Sequence, residues 1–234
     1  MSIRDAKGQI EDKIPVKNVL VSVFDKSGLE AFVKGLIEAN PDVRFMSTGG
    51  TYKKIDELLG DSAGEHLIQV SDYTGFPEME GGLVKTLHPK IHAGLLGERN
   101  NPEHQRYLAE DLENGVYIDM VVVNLYPFEK VTAAPDVTFE KARGNIDIGG
   151  PTMLRAAAKN FLSCAAVCSP GDYEKILADV KANDGCTTFE QRLQLMRKVF
   201  DMTSKYDKAI TGYILGQMHD NPAGIRTCYE FEGE

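Results

Sequence analysis

The chain has 234 residues, a formal net charge of −9 and a pI near 5.1, and 42% of its residues are hydrophobic. This acidic balance argues against broad binding to nucleic acid or to a membrane surface, and the length suits one large domain or two small ones. No apolar segment approaches the ~20 residues of a membrane span, and the N-terminus lacks an apolar signal-peptide core, so we expect a cytoplasmic protein.

The first segments of the chain alternate between strand and helix patterns. Residues 1–17 are polar and without a clear period, and we interpret them as a leader of low order. The valine-rich run 18–24 predicts a strand buried on both faces, and 29–39 has helical spacing. A second strand at 43–46 and a second helix at 52–59 follow. Two strand–loop–helix units in succession favour a parallel α/β sheet.

The later segments continue the same alternation. We expect a loop over 71–82, and we expect the apolar run 118–125 to lie inside the sheet. The pattern predicts further strands at 66–70 and 163–168, and helices at 102–114, 138–143, 151–159, 170–183 and 188–217, the last bent near Ser204.

The first two loops carry phosphate-binding chemistry. They follow adjacent strands, so we expect them at one edge of the sheet, where open α/β sheets bind ligands. Residues 47–51 (S-T-G-G-T) offer hydroxyl and glycine N–H groups ahead of a helix, and Lys26 adds a positive charge. The alternative is an ordinary capped turn, because Ser and Thr are good N-caps. The pattern is not G-x-x-x-x-G-K-[ST], so it does not predict a nucleoside triphosphate.

A basic stretch follows at 84–92, with the sequence V-K-T-L-H-P-K-I-H. Lys85 follows a glycine pair in a predicted loop, where functional residues concentrate, and the alternative is a solvated lysine. His88 and His92 have the i, i+4 spacing of a metal-binding pair. However, Pro89 disfavours helix at His88 and no third ligand has a useful spacing. We therefore expect no metal.

The stretch 145–161 (N-I-D-I-G-G-P-T-M-L-R-A-A-A-K-N-F) combines an acid, a helix start and a base. Asp147 precedes two glycines whose N–H groups attract anions, Pro151 favours the first helical position, and Lys159 lies at the far end. The alternative is a turn, a helix and two surface charges. Asn124 and Tyr126 add an amide and a phenol at the end of the apolar strand.

The four cysteines do not suggest a metal site or a disulfide framework. Cys164 and Cys168 lie in an apolar run, and no C-x-x-C pair exists. Buried free thiols in a reducing compartment are the favoured interpretation.

Several runs together resemble the inosine monophosphate (IMP) cyclohydrolase domain, the N-terminal half of a bifunctional purine-biosynthesis family that also carries an AICAR transformylase. The runs occur in the family's order, at 22–29, 47–51, 74–80, 84–94, 124–128 and 146–160. The resemblance implies an α/β, methylglyoxal-synthase-like fold: a central, mainly parallel sheet flanked by helices, with C-terminal helices. It also implies a single domain over 18–234.

The resemblance further implies ring closure of 5-formamido-imidazole-4-carboxamide ribotide (FAICAR) to IMP and water, by acid–base catalysis without a cofactor. The partner is then a small-molecule purine ribotide. A homodimer and a separate AICAR transformylase that supplies FAICAR are further expectations.

The resemblance also assigns site residues. In the catalytic group are Lys85, Tyr126, Asp147 and Lys159, with Asp147 and Lys159 as a proton-transfer pair whose base is not assigned. In the nucleotide-binding group are Lys26, Thr48, Gly49, Gly50, Thr51, Lys85, Thr86, Asn124, Asp147, Ile148 and Gly149. A straight helix through the interval would separate the Cα atoms of Asp147 and Lys159 by ~15 Å or more, so the pair requires a late helix start or a bend.

Three positions depart from the family pattern. Phe24 replaces a usual serine, Leu83 replaces a common arginine, and Gly144 replaces a frequent glutamate. The first two remove a hydroxyl and a cation from the expected phosphate site, so nucleotide affinity is more affected than ring closure.

Two other functions remain open. A nucleotide-sensing domain of the same fold would keep S-T-G-G-T but would need neither the 84–89 run nor the Asp147/Lys159 pair. Methylglyoxal synthase would share the fold and phosphate loop, but the runs at 124–128 and 145–152 are not its signatures.

Overall fold

The computed structural model describes residues 6, 8–77, 79–80 and 83–232. At its centre is a five-stranded sheet with the order β4-β3-β2-β5-β6, in which every neighbouring pair is parallel. Its strands are β2 (Asn18–Val23), β3 (Arg44–Ser47), β4 (Leu67–Gln69), β5 (Met120–Asn124) and β6 (Ala165–Val167).

The apolar runs of the sequence account for this sheet. In β2, Val19, Leu20 and Val21 are almost fully buried, because helices cover both faces of a parallel sheet. β5 lies between β2 and β6, which confirms the prediction that the run 118–125 lies inside the sheet.

Helices pack on both faces of the sheet. On one face, α1 (Leu29–Ala39) and α10 (Tyr173–Ala182) bury their apolar sides against the odd-numbered valines of β2. On the other, α5 (Pro89–Leu96) and α9 (Gly149–Lys159) pack on Leu20 and the facing side of β5. The long helix α11 (Phe189–Asp220) runs beside β6 and contributes a buried residue to each core, Leu195 and Val199.

The remaining helices are short, except for the helix Gly49–Leu59, which follows β3 and has three turns. They are α2 (Gly49–Leu59), α3 (Ala63–His66), α4 (Val70–Thr74), α6 (Pro102–Arg106), α7 (Phe128–Thr132), α8 (Phe139–Gly144) and α12 (Pro222–Arg226). Over the part of the chain that the structure describes, no helix has the length and apolar content needed to cross a bilayer.

Local structure departs from the sequence prediction in a few places. The predicted loop 71–82 begins with α4, a single helical turn that ends at Gly75 with φ 72°. The predicted helix 102–114 is α6 followed by a wider π-helical turn, Tyr107–Asp111. The helix predicted over 188–217 is one continuous helix that extends to Asp220, and the Thr188 hydroxyl caps it by accepting from the Gln191 N–H.

The prediction of low order for residues 1–17 is wrong at 13–15. These residues form β1 (Lys13–Pro15), which pairs antiparallel with β7 (Cys186–Thr188) and buries Ile14. A three-residue strand is too short to show a period, and its partner lies far along the chain, so the sequence gives no local signal. The first five residues and residue 7 lie outside the described residues.

Arg192 joins this N-terminal segment to the domain. Its side chain is 0% exposed and donates to the backbone carbonyls of Glu11, Phe161, Leu162 and Thr187. A buried guanidinium is tolerated only when its donors are satisfied, so this residue has a structural role.

Candidate active site

A cleft of about 500 Å³ opens where β3, β2 and β5 end. This is the carboxyl edge of the sheet, where the loops of parallel strands converge. Every residue that the sequence assigned to the site lines the cleft, with the exception of Lys159. They are Lys26, Thr48, Gly49, Gly50, Thr51, Lys85, Thr86, Asn124, Tyr126, Asp147, Ile148 and Gly149.

The N-terminus of α2 forms one wall of the cleft. Gly49 has φ 50°, a conformation that favours glycine, and a Cβ atom there would lie 3.2 Å from Lys85 Nζ. The space beside Gly50 is open, because a Cβ atom there would meet nothing within 4 Å among the described residues outside its own helix and chain neighbours. The ammonium group of Lys85 therefore lies beside a helix N-terminus, and both favour an anion.

Two predicted nucleotide-binding side chains are already engaged with the loop after β2. Thr51 Oγ1 accepts from the Val23 N–H and donates to the Val23 carbonyl, both at 3.1 Å. Asn124 Oδ1 accepts from the Phe24 and Asp25 N–H groups, and its Nδ2 donates to the Asp25 carbonyl, each at 2.8 Å. These side chains hold the shape of the loop that faces the ligand space.

Lys26 lies at the edge of the same loop. Its Nζ is 3.4 Å from the Val23 carbonyl and 3.5 Å from the Phe24 carbonyl. Its charge thus belongs to the cleft that Lys85 also lines.

Asp147 sits in a tight turn directly before α9. Its carboxylate accepts from the Gly150 N–H at 2.8 Å and from the Tyr126 backbone N–H. A Cβ atom on Gly150 would come within 2.5 Å of Asp147 Oδ2, so only glycine allows this approach. Burial raises the pKa of Asp147 above its ordinary value of 3.8, and the two N–H donors oppose the shift.

Thr86 completes the wall beside this turn. It is only 6% exposed, and its hydroxyl lies 3.0 Å from the position of a Cβ atom on Gly149. The imidazole of His92 bonds to the Thr86 backbone, while burial lowers the pKa of His92. His92 therefore supports the loop that carries Thr86 through this hydrogen bond.

The mouth of the cleft is apolar. Tyr126 is 50% exposed and its ring lies 5.2 Å from that of Phe24, while Ile148 is 59% exposed. An aromatic and aliphatic rim of this kind suits a flat heterocycle.

Lys159 is the one predicted site residue that the structure does not bring to the cleft. It is the last residue of α9, an eleven-residue helix, and is exposed. The helix begins at Gly149, two residues before Pro151, and it does not bend the chain back. At 1.5 Å per residue its ends are ~15 Å apart, so Asp147 and Lys159 do not form a pair within this chain.

All three positions that depart from the family pattern line the cleft: Phe24, Leu83 and Gly144. The sequence reasoning missed two further kinds of residue. Ser22 and Met153 line the cleft from β2 and α9, and only their place inside the runs 22–29 and 146–160 could have indicated them. Tyr206 contacts Asp147 from α11, and no sequence pattern connects the two.

The histidines and cysteines that were considered as metal ligands are arranged differently in the structure. His88 caps α5, because its Nδ1 accepts from the Lys90 N–H at 3.1 Å. Cys164, Cys168, Cys186 and Cys228 are free thiols. Among the described residues, no three His, Cys, Asp or Glu side chains are grouped so that they could hold a metal ion.

Fold and cleft together define a class of protein. The model of the MGS-like domain matches residues 28–152, and the chain belongs to that family. This confirms the fold expected from the sequence, a parallel five-stranded sheet flanked by helices. The model of the AICARFT/IMPCHase bienzyme matches residues 157–232.

Comparison with similar proteins narrows the family assignment. The bifunctional purine biosynthesis protein PurH of Chlorobium phaeovibrioides is 51% identical over 85% of this chain, and that of Neisseria meningitidis is 46% identical over 94%. The chain spans 36% and 40% of the length of these two relatives, and it matches their IMP cyclohydrolase part. The crystal structure of ForH superposes with a TM-score of 0.70 at 31% identity, covering 85% of this chain and 98% of that one.

Proposed function

We propose that this protein is an IMP cyclohydrolase, which closes the ring of FAICAR to give IMP and water. The observation that carries the proposal is the arrangement within one cleft: an anion-binding helix start with a lysine, and a half-buried carboxylate before a second helix start. Its similarity to the cyclohydrolase part of PurH supports the same activity.

The ribotide phosphate binds at the N-terminus of α2. There the first N–H groups of the helix have no intrahelical acceptors, and Thr48 and Lys85 add a hydroxyl and a charge. Lys26 lies in the neighbouring loop and lowers the electrostatic cost of bringing a dianion to an acidic protein. Thr51 and Asn124 contribute by fixing the loop after β2.

In the bound ribotide, the reacting groups on the imidazole ring lie beside Asp147. The carboxamide nitrogen attacks the formyl carbon, a C–N bond forms, and the Asp147 carboxylate accepts the proton that the nitrogen loses. The formyl oxygen becomes an oxyanion, is protonated, and leaves as water with the proton from the formamido nitrogen. Asp147 has the raised pKa that suits a group which takes up and returns a proton.

The oxyanion forms beside the second helix start. Gly149 is the first residue of α9 and lines the cleft, so its N–H group can donate to the oxyanion, and the Thr86 hydroxyl lies beside it. The Tyr126 ring covers the heterocycle, and its backbone N–H holds the Asp147 carboxylate in place. In this scheme Asp147 acts without Lys159.

The cellular setting follows from the proposed reaction. Purine synthesis and free thiols fit a cytoplasmic enzyme, and an AICAR transformylase must supply the formylated ribotide. The outer half of α11 exposes Leu215 and Met218, an apolar strip that suits a homodimer contact.

Thermal unfolding with candidate ligands tests the proposal. A ligand that binds only the folded state raises the melting temperature by linkage. We expect IMP and its 2-oxo analogue, xanthosine monophosphate, to raise it, and dihydroxyacetone phosphate to leave it unchanged. Stabilisation by dihydroxyacetone phosphate alone would favour a methylglyoxal-synthase-like substrate and would refute the proposal.

A further inference from the structure

We propose that Tyr206 is a positioning residue for Asp147, supplied to the site by helix α11. The inference deepens the proposed function and rests on it, because it assigns a role in placing the base of that reaction. Tyr206 does not line the cleft, so it acts through Asp147 rather than on the ligand.

The contact is a hydrogen bond to the backbone of the catalytic turn. The Asp147 N–H donates to the Tyr206 hydroxyl at 2.8 Å, across 59 residues of sequence. The same residue's carboxylate accepts from the Gly150 N–H at 2.8 Å. Asp147 is thus held at its backbone by the Tyr206 hydroxyl and at its carboxylate by the Gly150 and Tyr126 N–H groups, and these bonds together fix the direction of the carboxylate.

Helix α11 is itself held firmly against α9. Arg155 on α9 lies with its guanidinium carbon 5.2 Å from the Phe200 ring centre, and its Nη1 donates to Thr203 Oγ1 at 3.4 Å. Thr203 is 1% exposed. The Tyr206 hydroxyl, one turn further along α11, is therefore presented from a helix that packs directly on α9.

The Tyr206 ring is located by packing as well. It meets the buried Phe128 edge-on, with centroids 6.3 Å apart, and Phe128 in turn meets Tyr213 at 5.7 Å. Tyr206 and Tyr213 lie on the same helix and flank the same phenylalanine. Within the described residues, the buried Tyr213 hydroxyl has no hydrogen-bond partner, whereas the Tyr206 hydroxyl holds Asp147.

Tyr206 and Tyr213 provide a matched pair of variants. Tyr206→Phe and Tyr213→Phe each remove one hydroxyl from the same aromatic cluster and keep the ring. For Tyr206→Phe we expect kcat for ring closure to fall about tenfold with KM within about twofold, because one hydrogen bond to the catalytic turn is lost. We expect the Asp147 amide to exchange with deuterium at least about tenfold faster by NMR. Tyr213→Phe should match the wild type in kcat, in KM and in the exchange rate of the Asp147 amide.

The outcomes separate this inference from the proposed function. Unchanged amide exchange in Tyr206→Phe, unchanged kcat, or equal effects in the two variants would overturn the role of Tyr206. If the wild type itself does not convert FAICAR, the proposed function fails. In that case the amide exchange of Asp147, which needs no substrate, still decides whether Tyr206 holds the turn.

Discussion

The Gly150 N–H donates to Asp147 Oδ1 at 2.8 Å, and the Gly150 Cα leaves no space for a side chain beside that carboxylate. The acid is therefore fixed to the first turn of α9. The positive end of the helix dipole stabilises the ionised form, while burial acts against it. A carboxylate balanced between these effects can accept a proton and return it.

The first prediction concerns this carboxylate. Asp147→Asn keeps the shape and the oxygen that accepts from Gly150 but removes the base, so turnover should fall at least about 100-fold. Binding of IMP, measured by calorimetry, should stay within about tenfold. Asp136→Asn, a change at an exposed turn outside the cleft, is the control and should behave as wild type. Near-wild-type turnover of Asp147→Asn would refute its role as base.

The second prediction concerns pH. Because burial raises the pKa of Asp147, the carboxylate takes up its proton at a higher pH than an ordinary aspartate with pKa 3.8. A base must be deprotonated, so kcat/KM should decline as pH falls through this raised pKa. The acid limb of the pH–rate profile should therefore lie above pH 3.8. A rate that stays constant down to that pH would contradict the assignment.

The third prediction concerns Leu83, which lines the cleft and is 69% exposed. Leu83→Arg adds a cation near the phosphate site and should tighten IMP binding about two- to fivefold at low salt. The gain in affinity for IMP should shrink as ionic strength rises. Leu193→Arg adds the same charge at a 38% exposed position of α11 outside the cleft, and it should leave the Kd unchanged. Equal effects of the two variants would mean that the phosphate does not bind near Leu83.

The fourth prediction concerns Lys159. Because its side chain is exposed at the far end of α9, Lys159→Ala should keep turnover within about threefold of wild type. A severe loss would contradict this expectation and would mean that Lys159 reaches the cleft of a second copy. Mixing Lys159→Ala with Asp147→Asn would then restore part of the activity, because a mixed dimer would contain one complete site.

The fifth prediction concerns stability. Arg192→Met removes a buried guanidinium that donates to four backbone carbonyl groups, and it should lower the free energy of unfolding by about 3–5 kcal/mol. Arg197→Met, at an exposed position of the same helix, should change it by less than about 0.5 kcal/mol. Urea denaturation measures both. Equal midpoints would show that Arg192 does not hold the N-terminal segment in place.

The sequence predicted the sheet and most of the cleft for a clear physical reason. Apolar runs such as 18–24 form buried parallel strands, and parallel strands place their following loops at one edge. The loops after β3, β2 and β5, which begin near Thr48, Lys26 and Asn124, therefore converge once the strand order brings these three strands together.

The sequence could not predict features that depend on long-range packing. The Tyr206 hydroxyl reaches Asp147 only because α11 packs along α9, and β1 exists only because β7 returns to it. The pairing of Asp147 with Lys159 rested on resemblance, and helix geometry separates the two residues. Thr51 and Asn124 were placed correctly in the cleft, but only the structure shows that their polar groups bind the neighbouring loop.

The most direct test of the account is the ultraviolet absorbance of the purified protein mixed with FAICAR, which follows formation of the purine ring. We predict rapid IMP formation by the wild type and loss of that signal in Asp147→Asn. No ring closure by a wild-type protein that still binds IMP would contradict the account and would indicate a nucleotide-sensing domain instead.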